Sequence, residues 1–382
     1  MQIRDLRLRW FRNYDERVFH FDSPSVLLVG QNGSGKTNVL EALSVLAVGK
    51  SFRSGVQIRD LVHWQKPDSL PTSVEGSIQT RDGLKQVRFQ IENGRRSFFV
   101  NDNRQKSLSD FYGVVRVVDF SPDDLFLIKG PPADRRDAFD RIFTMTIPLY
   151  GLSLTNYEKA LQERNALLRE VKHHPISERE LNAQLSQWES ILINEGLKLA
   201  AIRREELTKL SPLFSKFYAH LADHAGEQAA LNYETIFIDQ SGNIISELAA
   251  EKLFAESRLG DRSAVRTAIG IHRDDYEFLL DVGQGLRSAK GNASQGQTRS
   301  LVLALKFAFI EYIREKTKED PVLLLDDIES ELDEKRKKAL FELVEALDTQ
   351  LFLTHPELSE IGKNSIKTDP GNSQKGLQLI EL

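Results

Sequence analysis

The chain has 382 residues, 40% of them hydrophobic and 28% charged, enough for two or three domains with a sizeable buried core. No apolar run approaches the roughly 18–20 residues that span a bilayer, and the first residues, Met1 to Asp5, lack the apolar stretch of a secretory signal, so no membrane association is expected. There is no cysteine, which removes disulfides and thiolate metal sites and suits the cytoplasm, and a net charge of −5 means that any nucleic-acid contact must be local.

Ile3, Leu6 and Leu8, then Trp10, Phe11 and Tyr14, then Phe19 and Phe21 predict two strands around a turn near Asn13–Asp15. Ser25–Val29 is almost continuously apolar, as expected of a buried parallel strand. A glycine-rich loop leads from it into a helix that opens at Thr37-Asn38-Val39-Leu40. Residues 73–118 read as a strand meander, with turn signals at Asp82-Gly83, Asn93-Gly94 and Asn101-Asp102. From about Thr155 the spacing becomes helical: Leu161, Leu167, Leu168 and Val171 lead to His174-Pro175. A second helix follows through Leu181, Leu185, Trp188 and Leu192 toward Leu210, which predicts an antiparallel helix pair. The stretch 242–268 carries no clear periodicity. Then come a helix at 297–316, a strand at 321–325, a helix at 333–347 and a strand at 350–354. The expected fold class is α/β, with a head built from residues 1–125 and 269–382 and a mainly helical insertion over 126–268.

Gly30-Gln31-Asn32-Gly33-Ser34-Gly35-Lys36-Thr37 fits the whole phosphate-loop pattern and sits between an apolar strand and a helix, as that chemistry requires. The glycines let backbone N–H groups converge on phosphate, and the helix N-terminus adds a favourable dipole. Lys36 can reach the β- and γ-phosphates, Thr37 can ligate Mg²⁺, and Asn38 follows directly. Pro321–Leu325 delivers two carboxylates, Asp326 and Asp327. Alone, that pattern also fits a buried strand followed by a helix cap. Paired with the loop, it is a Walker B element in which Asp326 holds Mg²⁺ and Asp327 sits near the attacking water. Glu329 is the competing carboxylate.

Gly291–Gln297 is, alone, a polar loop with a helix cap. Upstream of the Walker B strand it resembles the signature motif of ABC ATPases, in which Ser294 and the helix N-terminus, with Gln297 in the first turn, face a γ-phosphate held by another subunit. Ser330-Glu331-Leu332-Asp333 resembles the D-loop, and His355 resembles the switch histidine. The wide separation of Lys36 from Asp326 resembles the SMC and RecF group. SMC proteins fill that interval with long heptad coiled coil, whereas these helices are short and break at a proline.

The residues resemble the bacterial RecF family over essentially the whole chain. The likeness runs through Leu6-Arg7-Leu8 with Phe11–Tyr14, Asn38–Leu43 and Gly49–Arg53, then Phe120–Leu125 with Gly130-Pro131-Pro132 and Arg135-Arg136. It continues through Tyr157, Leu161, Arg164-Asn165 and Leu167-Leu168 to Gly270–Asp275 and to Ser294–Gln297 with Arg299. Ile271 stands where the family usually has proline, and His355 where many members lack histidine. The resemblance implies a two-lobed repair protein that dimerises with ATP sandwiched between the phosphate loop of one subunit and the signature of the other. It implies binding to single-stranded and double-stranded DNA near gap edges, action with RecO and RecR to direct RecA, and slow DNA-stimulated ATP hydrolysis. It also sets Arg12 and Asn13 near the nucleotide, although from the residues alone they equally fit the end of a strand. Lys50, Arg53, Arg135 and Arg136 are candidate DNA contacts, each more readily read as a surface or core-capping charge. A nuclease-associated ATPase is disfavoured because the sequence ends soon after Leu353, and a chromosome-structuring role because the helices are short.

Overall fold

The computed structural model of the protein describes residues 1–53, 55–106, 111–222, 226–327, 332–347, 349–356 and 376–382. β1 (Gln2–Phe11) and β2 (Tyr14–His20) form the expected hairpin, with Leu6 opposite Phe19 and Phe11 opposite Tyr14. Alternation buries Leu6 and Leu8 and turns Arg7 to the other face. β3 (Ser25–Val29) is buried at every position and runs into α1 (Lys36–Val48) through the phosphate loop. β4 (Thr72–Thr80), β5 (Gly83–Glu92), β6 (Arg95–Val100) and β7 (Asn103–Arg104) extend the hairpin into an antiparallel sheet of order β2-β1-β4-β5-β6-β7. The apolar face of this sheet packs on α1 so closely that a Cβ at Gly76 would lie 2.8 Å from Leu46 Cδ1.

β8 (Val117–Phe120) precedes a run of helices: α2 (Phe126–Lys129), α3 (Pro132–Thr146), α4 (Pro148–His173) and α5 (Glu178–Leu221). α4 begins at Pro148, earlier than Thr155, because proline in the first turn is pre-set for helix. α5 runs past Leu210 and through Pro212, its N-terminus capped by Ser177 accepting from Glu180 N–H at 3.2 Å. The predicted antiparallel pair is therefore present, closed at its tip by Leu168, Leu181 and Leu185. β9 (Gln228–Glu234) follows, then α6 (Glu247–Ala264), which occupies the stretch without clear periodicity. Its side chains mix the signal: Asp261 is buried with Ala250 and Phe254, while Leu248 and Leu259 are exposed.

β10 (Asp275–Asp281) pairs antiparallel with β9 and with β11 (Arg287–Ser288). α7 (Gln295–Thr317), β12 (Val322–Leu325), α8 (Glu334–Ala346), β13 (Leu351–His355) and β14 (Leu377–Glu381) complete the chain. The five-stranded sheet has the order β14-β3-β13-β12-β8 and every neighbouring pair is parallel. β3, from the start of the chain, thus lies between two strands from its end. That crossover brings residues 30–37 beside Asp326 at the carboxyl ends of the strands, where open α/β sheets bind ligands. Among the described residues no helix is long and apolar enough to cross a membrane. Glu329, Ser330 and Glu331 lie outside the described residues.

Candidate nucleotide site

The phosphate loop is shaped by its glycines. Gly33 (φ 85°) and Gly35 (φ 109°) adopt the left-handed region that strains any other side chain. Room is also lacking: a Cβ at Gly35 would lie 2.5 Å from the Tyr14 hydroxyl, and one at Gly30 would lie 2.6 Å from the Leu382 carbonyl oxygen. Lys36 is buried, and its Nζ donates to the carbonyls of Gly30 and, at 3.0 Å, Gln31. Asn13 braces the loop from the β1–β2 turn, donating to Ser34 O at 3.1 Å and accepting from Asn38 Nδ2 at 2.8 Å.

β12 is wholly buried and sets Asp326 at its end, where Asp326 N–H donates to Phe120 O on β8. Asp326 Oδ1 accepts from Thr37 Oγ1 and from Thr354 Oγ1, both at 2.9 Å. Burial pushes the Asp326 carboxyl above its usual range, against the opposing pull of these two hydroxyls and of Arg53. Thr354 Oγ1 also accepts from Asp327 N–H at 2.9 Å, so one hydroxyl ties together both acidic residues. Asp327 itself has φ 49°. Sequence reasoning missed Thr354, whose only signal is a polar residue near the end of an apolar strand.

These groups enclose a cavity of about 330 Å³ walled by Gly33, Lys36, Thr37, Arg53, Asp326 and Asp327 among others. Arg53, read from the sequence as a candidate DNA contact, lines this cavity and donates to Asn38 Oδ1 at 3.1 Å. Arg12 does not line it. Its guanidinium is committed to Glu41, fully buried on α1, at 2.7 Å from Nε, and to the Asp60 carbonyl. Ser294 and Gln297 lie at the start of α7 outside the cavity, as a capping box, and His355 ends β13 without forming a wall. Arg135 and Arg136 serve the fold: Arg135 pairs with Asp275 at 2.7 Å and Arg136 donates to Asp274 O at 2.8 Å. Lys50 lies 3.4 Å from Glu158.

A larger cavity, about 720 Å³, shares Arg53 but is chemically different. Its buried charges already answer one another: Lys306 pairs with Asp119 and Asp124, and Arg141 with Asp119. Burial lifts the Asp124 carboxyl to about 6, against the opposing pull of Lys306. The smaller cavity is the one walled by the phosphate loop, with Lys36, Thr37 and Asp326 together.

The family described as RecF/RecN/SMC N terminal domain matches residues 2–361. The DNA replication and repair protein RecF of Geobacter sulfurreducens is 34% identical over 369 residues, covering 96% of this chain and 96% of that protein. The chain belongs to the RecF family. RecF of Natranaerobius thermophilus is 33% identical, with 94% of this chain and 92% of that protein covered. A solved structure of the recombination mediator protein RecF-ATP in the RecFOR pathway superposes with a TM-score of 0.81 at 30% identity, covering 94% of this chain and 92% of that one. Its RecF-ATPrS counterpart gives 0.81 at 29% identity, covering 96% and 94%. The fold is accordingly that of an α/β ATPase head of the RecF type carrying a helical insert.

Proposed function

We propose that this chain is an ATP-dependent DNA-binding switch of recombinational repair. It binds Mg·ATP in the 330 Å³ cavity and pairs with a second copy across the nucleotide. The dimer closes on single-stranded and double-stranded DNA where they meet at gaps. The observation that carries this reading is the convergence of Lys36, Thr37, Asp326 and Asp327 around a cavity that the loop glycines Gly33 and Gly35 also line.

The residues fit the nucleotide and its ion. Hard oxygen donors from Thr37 and Asp326 meet at 2.9 Å, which suits Mg²⁺, a cation that keeps several waters and takes one or two protein ligands. Bound there, Mg²⁺ supplies charge neutralisation to the phosphates. Lys36 exchanges its loop carbonyls for phosphate oxygens, and the N–H groups along Gly30–Thr37 and Asn38 complete the cradle. Asp327 holds the attacking water, Ser294 of the second copy meets the γ-phosphate with Gln297 supporting it, and His355 serves as the switch beside them. Hydrolysis is a slow timer, faster on DNA. The head comprises residues 1–125 and 269–382, and the insert 126–268. The RecFOR pathway in which a RecF relative is described supports RecR and RecO as partners, and RecA is the protein they would direct onto gaps. The cytoplasm is the compartment in which this chemistry has its DNA.

Solution mass measured with and without ATP and gapped duplex tests the reading. A DNA-bound dimer with ATP and a monomer without it are expected, and the strands stay uncut. A monomer under all conditions would overturn it.

A further inference from the structure

The first turn of α7 is fixed from outside the helix. Ser294 Oγ accepts from Gln297 N–H at 3.1 Å, and Ser294 N–H donates to Gln297 Oε1 at 2.9 Å. The other end of the same amide, Gln297 Nε2, donates to Glu227 Oε1 at 3.1 Å. Glu227 Oε2 in turn accepts from the Tyr218 hydroxyl at 2.8 Å. Tyr218 is fully buried near the end of α5, and Glu227, immediately before β9, is 7% exposed. A line of hydrogen bonds therefore runs from the long helix of the insert to the serine of the signature.

The chemistry of Glu227 gives that line a direction. A carboxylate only accepts, so Gln297 must turn its NH₂ toward Glu227 and its oxygen toward Ser294 N–H. The flipped amide would set two acceptors face to face at one end and two donors at the other. With the Ser294 oxygen already accepting from Gln297 N–H, its hydroxyl hydrogen is left to donate away from the helix. The same corner is clamped again one turn on. Ser300 Oγ donates to Leu221 O at 3.1 Å and accepts from Arg336 Nη2 at 2.9 Å, so the end of α5 also meets α8.

We infer that Glu227 is a positioning residue for the trans nucleotide contact, acting through Gln297 to hold the Ser294 hydroxyl ready for the partner's γ-phosphate. This rests on the sandwich dimer proposed above. It makes the insert, through α5, a part of the signature rather than a spectator.

The test measures ATP-driven dimerisation of the full chain against protein concentration, alongside ATP affinity of the dilute monomer and thermal unfolding. Glu227→Ala should leave monomer ATP affinity unchanged and raise the concentration for half-dimerisation about tenfold. Glu227→Gln can still accept from Gln297 through its amide oxygen, with Tyr218 accepting from its NH₂, and should stay within about twofold of the wild type. In a Ser294→Ala background, Glu227→Ala should add nothing, the mark of action through Ser294. Full additivity of the two losses would overturn the assignment. So would wild-type dimerisation by Glu227→Ala, or by the milder Tyr218→Phe should the alanine variant fail to fold. Absence of any ATP-driven dimer in the wild type would instead remove the sandwich reading beneath it.

Discussion

Lys36 lies buried against the carbonyls of Gly30 and Gln31, so its ammonium is held by weak neutral acceptors at the place where phosphate oxygens arrive. Phosphate oxygens carry a negative charge that carbonyls lack, so they add ion–ion attraction to the hydrogen bonds of the ammonium. Lys36→Ala should therefore weaken ATP binding at least about tenfold in a direct titration, and unchanged affinity would rule out the loop assignment. Asp327 is a different case, because its backbone has φ 49°, a region that Asn tolerates nearly as well as Asp. Asp327→Asn thus removes the carboxylate while sparing the turn, and turnover at saturating ATP should fall at least about tenfold with ATP affinity retained. Normal turnover would transfer the role to another carboxylate, with Glu329 the next to replace. These two residues were legible because phosphate chemistry demands contiguous or strand-terminal positions. Arg53, Thr354 and Glu227 were not, since each acts through space on a residue far away in sequence: Asn38, Asp326 and Gln297.

At the scale of elements, buried arginines join α3, α4, α5 and α6 where apolar packing alone would let helices slide. Arg203, 1% exposed on α5, donates to Asp140 on α3 and to Asp274 before β10 at 2.8 Å each, to Ile271 O, and to Tyr150 on α4. Removing one partner of a buried pair strands the remaining charges, so Arg203→Met should lower unfolding free energy by about 3–5 kcal/mol in urea titrations. A loss under about 1 kcal/mol would mean water reaches the two aspartates. Beside them, His272 bonds the Tyr157 hydroxyl and Thr267 O, and burial pushes its pKa from 6.5 to about 4, with Arg273 and Arg136 pushing the same way. The folded form therefore resists a proton that the unfolded chain takes up. His272 contributes stability that is complete above pH 6.5 and is lost as pH falls toward about 4. His272→Gln should shrink the fall in Tm between those limits, and an unchanged fall would exclude His272 as its source. Strands and the α4–α5 pair were readable from period and turn residues. The pairing of β9 with β10 was not, because a strand's partner is set by the tertiary path and carries no local signature.

For the whole molecule, a net charge of −5 means that DNA cannot be held by bulk attraction. On the proposed reading two modest basic surfaces act together, and a symmetric dimer would provide this by facing two copies of one patch across an axis. Once the first patch is bound, the second contact is effectively intramolecular. The γ-phosphate is what would couple Lys36 of one copy to Ser294 of the other, so ADP should leave the patches apart. Affinity for a gapped duplex should then rise with ATP, stay low with ADP or without nucleotide, and fall steeply with salt, because each counterion released gains less free energy in a more concentrated salt solution. The salt slope is the sharper readout. A dimer that engages both patches neutralises about twice as many phosphates as a monomer, so its slope on a log–log plot should be about twice as steep with ATP. A ligand shifts an equilibrium only by its differential affinity for the two states. Equal affinity and equal slope in all three nucleotide states would leave ATP with nothing to gate, and the switch would have to be abandoned whatever the cavity around Lys36 binds.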